Sequence, residues 1–158
     1  MAITVYKNFE SFRADTEELC KVDLHNLPLG NTNSYYYHHV RPLIIPNPLV
    51  MGGIKLSSPC FLYSTFDENS NNELIHIGEN GRIDLPPNTL GVMLKIENKE
   101  NSLVKVTDVN GQVSTVECGE MNSFISLGFT SPNGISSVEF LNSNIFLCDM
   151  FFTLAASC

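Results

Sequence analysis

Short apolar segments recur along most of this sequence, and residues that favour turns separate them. In the clearest segment, residues 90–97, Val92, Leu94 and Ile96 occupy alternate positions, as in a strand with one buried face. Many short strands separated by turn residues predict an all-β sandwich or barrel. The predicted strands are residues 21–24, 51–57, 60–65, 74–77, 82–85, 90–97, 103–109, 112–118, 123–129, 135–140 and 145–153.

Turn residues mark the ends of several predicted strands. Asn110-Gly111 lies between two strand segments and predicts a hairpin with a two-residue type I′ turn. Asn80-Gly81 and Asn133-Gly134 indicate further turns. Residues 28–48 are rich in Asn, Tyr, His and Pro and show no strand pattern. We interpret them as a long loop that lies over the sandwich.

One short helix is predicted near the N-terminus, at residues 8–19. Apolar side chains, among them Phe9 and Phe12, recur there at helical spacing, and acidic side chains occupy the opposite face. Asn8 is the predicted N-cap, because its side chain can accept a hydrogen bond from the first turn. We expect the helix to pack against the sandwich through Phe9 and Phe12.

Length and charge narrow the classes of function. The chain has 158 residues, of which 43% are hydrophobic, and this suits one domain spanning residues 1–158 with its own core. Its 17 Asp and Glu against 9 Lys and Arg give a net charge of −8, which repels nucleic acid and anionic membrane surfaces. The longest apolar run, residues 145–156, is too short to span a membrane. We therefore expect neither nucleic acid nor a membrane as a partner.

The cysteines and the first residues bear on the cellular compartment. The 5 cysteines are odd in number and include no C-x-x-C pair, which predicts neither a zinc knuckle nor a fully paired disulfide framework. The opening MAITVYK has no basic stretch followed by an apolar core, so no signal peptide is predicted. The expected location is the cytoplasm by default, or outside it if an export leader has been removed.

Eight motifs, spread in order over nearly the whole chain, match one pattern. They read VYKNFESF, VDLHNLP, MGGIKLSS, LPPNTLGVML, VTDVNG, GFTS, GISSVEF and FLCDMFF. The first two are similar to a short helix followed by "vdFEglp", the third to "i-G-G-v-x-F-x-s", and the last to "f-x-i-D-n-l-x-f". Together they resemble the all-β domains found in bacterial PEP-CTERM-type exported proteins.

This resemblance implies a jelly roll, an antiparallel β-sandwich related to galactose-binding-like and carbohydrate-binding modules. It implies little about activity, because a fold does not decide a function. In related modules the Asp that matches Asp149 often helps to hold a structural calcium ion. Here the Glu of "vdFEglp" falls on His25, which is a poor ligand for a hard cation. Two expectations stay open: no cofactor, or a calcium ion held by Asp149 and Asp23.

Asp149 stands out because it is a lone carboxylate within an apolar run. An unpaired carboxylate in a protein interior is costly or becomes neutral, so a buried Asp needs a partner. We expect Asp149 to be mostly buried. Its partner would be a backbone amide, a His or a cation supplied by residues 23–26.

Residues 35–41 concentrate aromatic rings, imidazoles and a guanidinium. In a strand, Tyr35, Tyr37 and His39 would share one face, and flat amphipathic rings suit stacking on a sugar ring. The alternative is that the rings cover an end of the sandwich or a dimer contact. The predicted ligand-binding residues are Tyr35, Tyr36, Tyr37, His39 and Arg41.

These observations favour a non-catalytic module that binds carbohydrate or another small ring-bearing ligand. The sequence contains no nucleophile elbow, phosphate-binding loop or zinc motif. An alternative is a small cofactor-free lyase, cyclase or isomerase, with His25, His76 and Asp149 as acid–base candidates. A second alternative is a self-assembling structural protein, and homo-oligomers are compatible with all three.

Overall fold

Strands dominate the described part of the chain. The computed structural model describes residues 3–22, 43–67, 72–98, 103–118, 124–142 and 144–155. In these ranges it contains one helix, α1 (Phe9–Ala14), and the following strands: β1 (Thr4–Tyr6), β2 (Cys20–Lys21), β3 (Leu43–Ile44), β4 (Leu49–Met51), β5 (Ile54–Ser57), β6 (Leu62–Asp67), β7 (Asn72–Ile77), β8 (Gly81–Asp84), β9 (Thr89–Asn98), β10 (Leu103–Asp108), β11 (Val113–Glu117), β12 (Phe124–Thr130), β13 (Ile135–Leu141) and β14 (Ile145–Leu154).

The strands form two antiparallel sheets. The eight-stranded sheet has the order β1-β12-β9-β14-β7-β6-β3, and β2 also pairs with β14. The six-stranded sheet has the order β11-β10-β13-β8-β5-β4. The predicted all-β antiparallel sandwich is confirmed.

The last eight strands pair in a nested way. β7 pairs with β14, β8 with β13, β9 with β12, and β10 with β11. This is one long hairpin whose two arms pass back and forth between the sheets, which is the topology of a jelly roll. The predicted jelly roll is therefore also confirmed.

The core lies between the inner faces of the two sheets. Val92, Leu94 and Ile96 on β9 are fully buried there, as their alternation predicts. They pack in one apolar cluster with residues of the six-stranded sheet such as Val106 and Phe140. Burial of such side chains stabilises the fold by about 1.5–3 kcal/mol each.

The described part of the chain contains no helix that is long and apolar enough to cross a membrane.

Helix α1 is shorter than predicted. Asn8 is the N-cap, as expected, and its Oδ1 accepts a hydrogen bond from the Ser11 N–H at 2.8 Å. The helix ends at Ala14, however, and the prediction of helix through residue 19 is wrong. Asp15 caps the end, and further acids at 17 and 18 would face the negative end of the helix dipole. Phe12 is fully buried and Phe9 half-buried, so the expected packing through these two rings is confirmed.

The prediction of one strand over residues 51–57 is also wrong. Two strands, β4 and β5, occupy this region, and Met51 pairs with Ile54 across the turn between them. Gly52 and Gly53 have φ of 58° and 86°, which are the positive values that a two-residue type I′ hairpin requires. The apolar residues on both sides obscured this turn in the sequence.

The hairpin at Asn110-Gly111 is confirmed, but its type I′ turn is not. Only Gly111 has a positive φ, of 85°. The Gly111 N–H donates to the Asp108 carbonyl at 3.1 Å, and the Asp108 N–H donates to the Gln112 carbonyl at 2.9 Å. This is a three-residue loop with a type I turn followed by a glycine bulge. The Asp108 carboxylate favours it by accepting the N–H groups of Asn110 and Gln112, each at 2.9 Å.

The predicted long loop is described only at its end. Leu43–Ile44 forms β3 and pairs with β6, so the last part of residues 28–48 is not entirely loop. Residues 23–42 lie outside the described residues.

Candidate functional site

The outer face of the six-stranded sheet is charged and forms its own ion pairs. Arg82 Nε lies 2.7 Å from Asp84 Oδ1, and Arg82 Nη1 lies 2.8 Å from Glu139 Oε1. Lys105 Nζ lies 3.8 Å from Glu139 Oε2. The hydrogen bond to Asp84 raises the pKa of Arg82 against the opposing effect of desolvation, and the charges of Asp84 and Glu139 add to the rise. The charges neutralise one another, as is typical of a solvated face.

The outer face of the eight-stranded sheet is aromatic. His76 on β7 stacks on Tyr63 of β6 with ring centroids 4.4 Å apart, and it contacts Phe146 of β14 at 3.7 Å. The three residues are register partners across neighbouring strands, which places their rings side by side. His76 is only 7% exposed, so these rings enclose it as part of a packed cluster.

A groove lies on the same face, between helix α1 and the sheet. It has a volume of about 240 Å³ and is lined by Phe9, Met93, Lys95, Ser126, Asp149 and Phe151. Phe9 and Phe151 form an aromatic wall, with ring centroids 5.2 Å apart. We call this the α1 groove.

Two strand pairings place the polar side chains of the α1 groove in one row. Asp149 on β14 is the register partner of Lys95 on β9, and Lys95 is the partner of Ser126 on β12. Phe151 and Met93 form the next row, on the side of helix α1. An acceptor, a cationic donor and a hydroxyl thus lie beside an aromatic wall, which suits a small ring that carries hydroxyl groups.

Asp149 is mostly buried, as predicted, but it lies on the outer face of the sheet and not in the core. Its side chain is 26% exposed, and its Oδ1 lies 3.7 Å from Nζ of Lys21. Simple alternation from Ile145 and Leu147, both in the core, would direct Asp149 inward as well. The pairing of β14 with β9 shifts by one residue between Leu147 and Asp149, and this bulge turns Asp149 to the outer face.

The structure separates the two described acid–base candidates. Asp149 lines the α1 groove, whereas His76 lies within the ring cluster and does not line that groove. The third candidate, His25, lies outside the described residues.

The other predicted site residues are also outside the described residues: Asp23, Tyr35, Tyr36, Tyr37, His39 and Arg41. In the ranges that the structure does describe, no group of three or more His, Cys, Asp or Glu could hold a metal ion. A calcium ion at Asp149 and Asp23 therefore stays a prediction.

Sequence reasoning missed most of the α1 groove. Lys95 had a signal, because the alternation on β9 places it on the outer face, but nothing showed that this face carries a groove. Phe151 had no such signal, because the bulge before Asp149 reverses the alternation of β14. Phe9 was predicted to pack on the sandwich, and the structure shows that it packs at the edge of this groove.

A second groove, of about 460 Å³, lies where α1 ends near the ends of β12 and β14. Its lining residues include two acids, Asp15 and Glu17, and two threonines, Thr130 and Thr153. Asp15 accepts a hydrogen bond from the Tyr6 hydroxyl at 2.8 Å. This groove is acidic, in contrast to the α1 groove.

The likeness of this chain to known proteins is weak. No protein-family model and no curated protein sequence matches the chain. Among solved structures, it is similar to a family 6 carbohydrate-binding module, with a TM-score of 0.43 and 13% identity over 63% of this chain and 86% of that chain. A likeness this low decides neither fold nor ligand. The sandwich rests on the strand pairings above, and the resemblance to PEP-CTERM-type domains stays a prediction.

Proposed function

We propose that the protein is a non-catalytic module that binds a carbohydrate, or a similar small ring-bearing ligand, in the α1 groove. One observation carries this proposal: the Phe9–Phe151 wall stands beside Asp149, Lys95 and Ser126 in a single surface groove. The predicted contribution of the segment from Tyr35 to Arg41 is part of the proposal.

The chemistry of the groove supports a sugar ring. The C–H face of a sugar is apolar and packs on aromatic rings, while its hydroxyls hydrogen-bond to charged groups at its edge. Asp149 can accept from such hydroxyls, and Lys95 can donate to them. The volume of about 240 Å³ is below the usual range for drug-sized ligands, which favours one ring or the end of a chain.

A glycan array tests the proposal directly. The wild type is compared with Phe151→Leu, which removes the ring from the groove while keeping an apolar side chain. Phe61→Leu is the matched control, because Phe61 is also half-buried but contacts Tyr63 outside the groove. We expect binding by the wild type and the control and a loss of at least tenfold in affinity for Phe151→Leu.

Two outcomes would contradict the proposal. If the wild type binds no glycan at any concentration, the carbohydrate function is wrong. If Phe151→Leu binds as well as Phe61→Leu, the α1 groove is not the site. A Tyr35→Ala, Tyr37→Ala variant then tests whether binding depends on the tyrosine segment instead.

The alternatives predicted from the sequence have less support. An enzyme using His76 and Asp149 would need both near one substrate, yet only Asp149 lines the α1 groove. Nothing in the described ranges favours self-assembly over ligand binding.

A further inference from the structure

We infer that the α1 groove selects a sugar ring that carries a carboxylate, such as a uronic acid unit of an acidic glycan. This inference rests on the proposed function and narrows its ligand class.

Two lysines flank the single carboxylate that lines the α1 groove. Lys95 lines the groove opposite Asp149, and Lys21 approaches Asp149 from β2. Two cations and one anion leave an excess positive charge on a protein whose net charge is −8. A positively charged site on a negatively charged protein raises the local concentration of an anionic ligand.

The ammonium groups remain available to a ligand. Lys95 has no carboxylate within ion-pair distance in the described part of the chain, and its Nζ lies 5.7 Å from the centroid of the Phe124 ring. Lys21 is 56% exposed, and its distance of 3.7 Å to Asp149 exceeds that of a hydrogen bond. Each ammonium therefore has donors to offer a ligand carboxylate.

The position of Lys21 also matches a ring bound on the aromatic wall. Its Nζ lies 5.7 Å from the centroid of the Phe151 ring, so the charge stands over one end of that wall. A sugar packed on Phe151 can direct a ring carboxylate at Lys21 or Lys95, while its hydroxyls face Asp149 and Ser126.

Among the residues that the structure describes, the other charged surfaces do not offer this combination. On the six-stranded sheet, Arg82 and Lys105 are already paired with carboxylates. The second groove has Asp15 and Glu17 among its lining residues and neither lysine nor arginine. An acidic sugar would be repelled there.

Isothermal titration with two matched probes tests the inference. The probes are an oligogalacturonate and a neutral galacto-oligosaccharide of the same length, each at low and high salt. We expect the wild type to bind the acidic probe at least tenfold more tightly at low salt, and high salt to reduce this preference. Lys95→Gln should remove most of the preference, and Lys95→Arg should retain it.

Lys55→Gln is the matched control, because it removes the same charge from the exposed outer face of the six-stranded sheet. It should leave the preference unchanged. Equal affinity for the two probes would overturn the inference while the proposed function stands. A preference that survives in a Lys21→Gln, Lys95→Gln variant would also overturn it. Failure of both probes, with no binding on the glycan array, would refute the proposed function itself.

Discussion

The Asp149 carboxylate pairs with the Lys21 ammonium across neighbouring strands, with Oδ1 3.7 Å from Nζ. The pair sits beside the α1 groove rather than in the core, because the bulge in β14 turns Asp149 outward. With both side chains partly exposed, solvent screens the attraction.

Asp149→Asn is therefore expected to reduce the free energy of unfolding by less than about 1 kcal/mol. Urea denaturation of the wild type, Asp149→Asn, Lys21→Gln and the double variant measures the interaction free energy between the two side chains. A loss of about 3 kcal/mol or more would mean that Asp149 is a buried, partnered charge after all.

Gly128 is expected to tolerate no side chain. A Cβ at this position would lie 2.8 Å from Cε of Met93 and 2.8 Å from Cδ2 of Phe12. The Met93 side chain can move aside, but the Phe12 ring of helix α1 must also shift in Gly128→Ala. The expected loss is about 1–3 kcal/mol of unfolding free energy, as for other overpacked sites. In a Phe12→Leu background the same substitution should cost less, and an unchanged cost would place the strain elsewhere.

Asp108 is expected to matter more for stability than Asp149. It is 1% exposed, and its Oδ1 accepts two backbone N–H groups of the β10–β11 loop. Asp108→Ala leaves those donors without this acceptor and should cost about 1–3 kcal/mol. Asp108→Asn keeps an acceptor oxygen and should cost less. Equal losses in the two variants would show that the hydrogen bonds are not the cause.

The cysteines should react in a fixed order. Cys60 is exposed, Cys118 and Cys148 are buried, and Cys20 is disulfide-bonded. Iodoacetamide should therefore label Cys60 in the native protein, Cys118 and Cys148 only after unfolding, and Cys20 only after reduction. Peptide mass spectrometry reads out each step. Labelling of Cys20 without a reductant would contradict the disulfide.

Tyr6 should ionise above the usual range for a tyrosine. The Thr130 hydrogen bond lowers the pKa of Tyr6, but burial together with the hydrogen bond and charge of Asp15 raises it above 10.0. Because the folded pKa is raised, this stabilising contribution is complete below pH 10 and is lost as the pH rises further. In an ultraviolet titration, Asp15→Asn should lower the pKa of Tyr6. Tyr6→Phe identifies its signal, and a pKa unmoved by Asp15→Asn would refute the coupling.

Much of the fold was predictable from local patterns. The alternation on β9 and the cap at Asn8 each depend on a few neighbouring residues, and both are confirmed. Features that depend on a partner strand were not predictable. The bulge that turns Asp149 outward exists only in the pairing of β14 with β9. The role of Asp108 could have been predicted from the neighbouring sequence, because Asp is favoured at the first position of a type I turn.

The candidate site was less predictable than the fold. The α1 groove combines residues from α1, β9, β12 and β14, which are distant in the sequence. Periodicity assigns Lys95 to an outer face, but it does not assign Phe151 there, because the bulge in β14 reverses the alternation. Only the registers of β14 with β9 and of β9 with β12 bring these side chains together.

The position of β14 has a consequence for the synthesis of this chain. β14 lies between β9 and β7 in the eight-stranded sheet, so Ile145 meets both Ile77 and Asn98. Until residues 145–154 leave the ribosome, the two halves of this sheet cannot join and each exposes an unpaired edge. Closing such long loops is slow, so this sheet should be completed only after β14 has been made, and its unpaired edges favour aggregation until then.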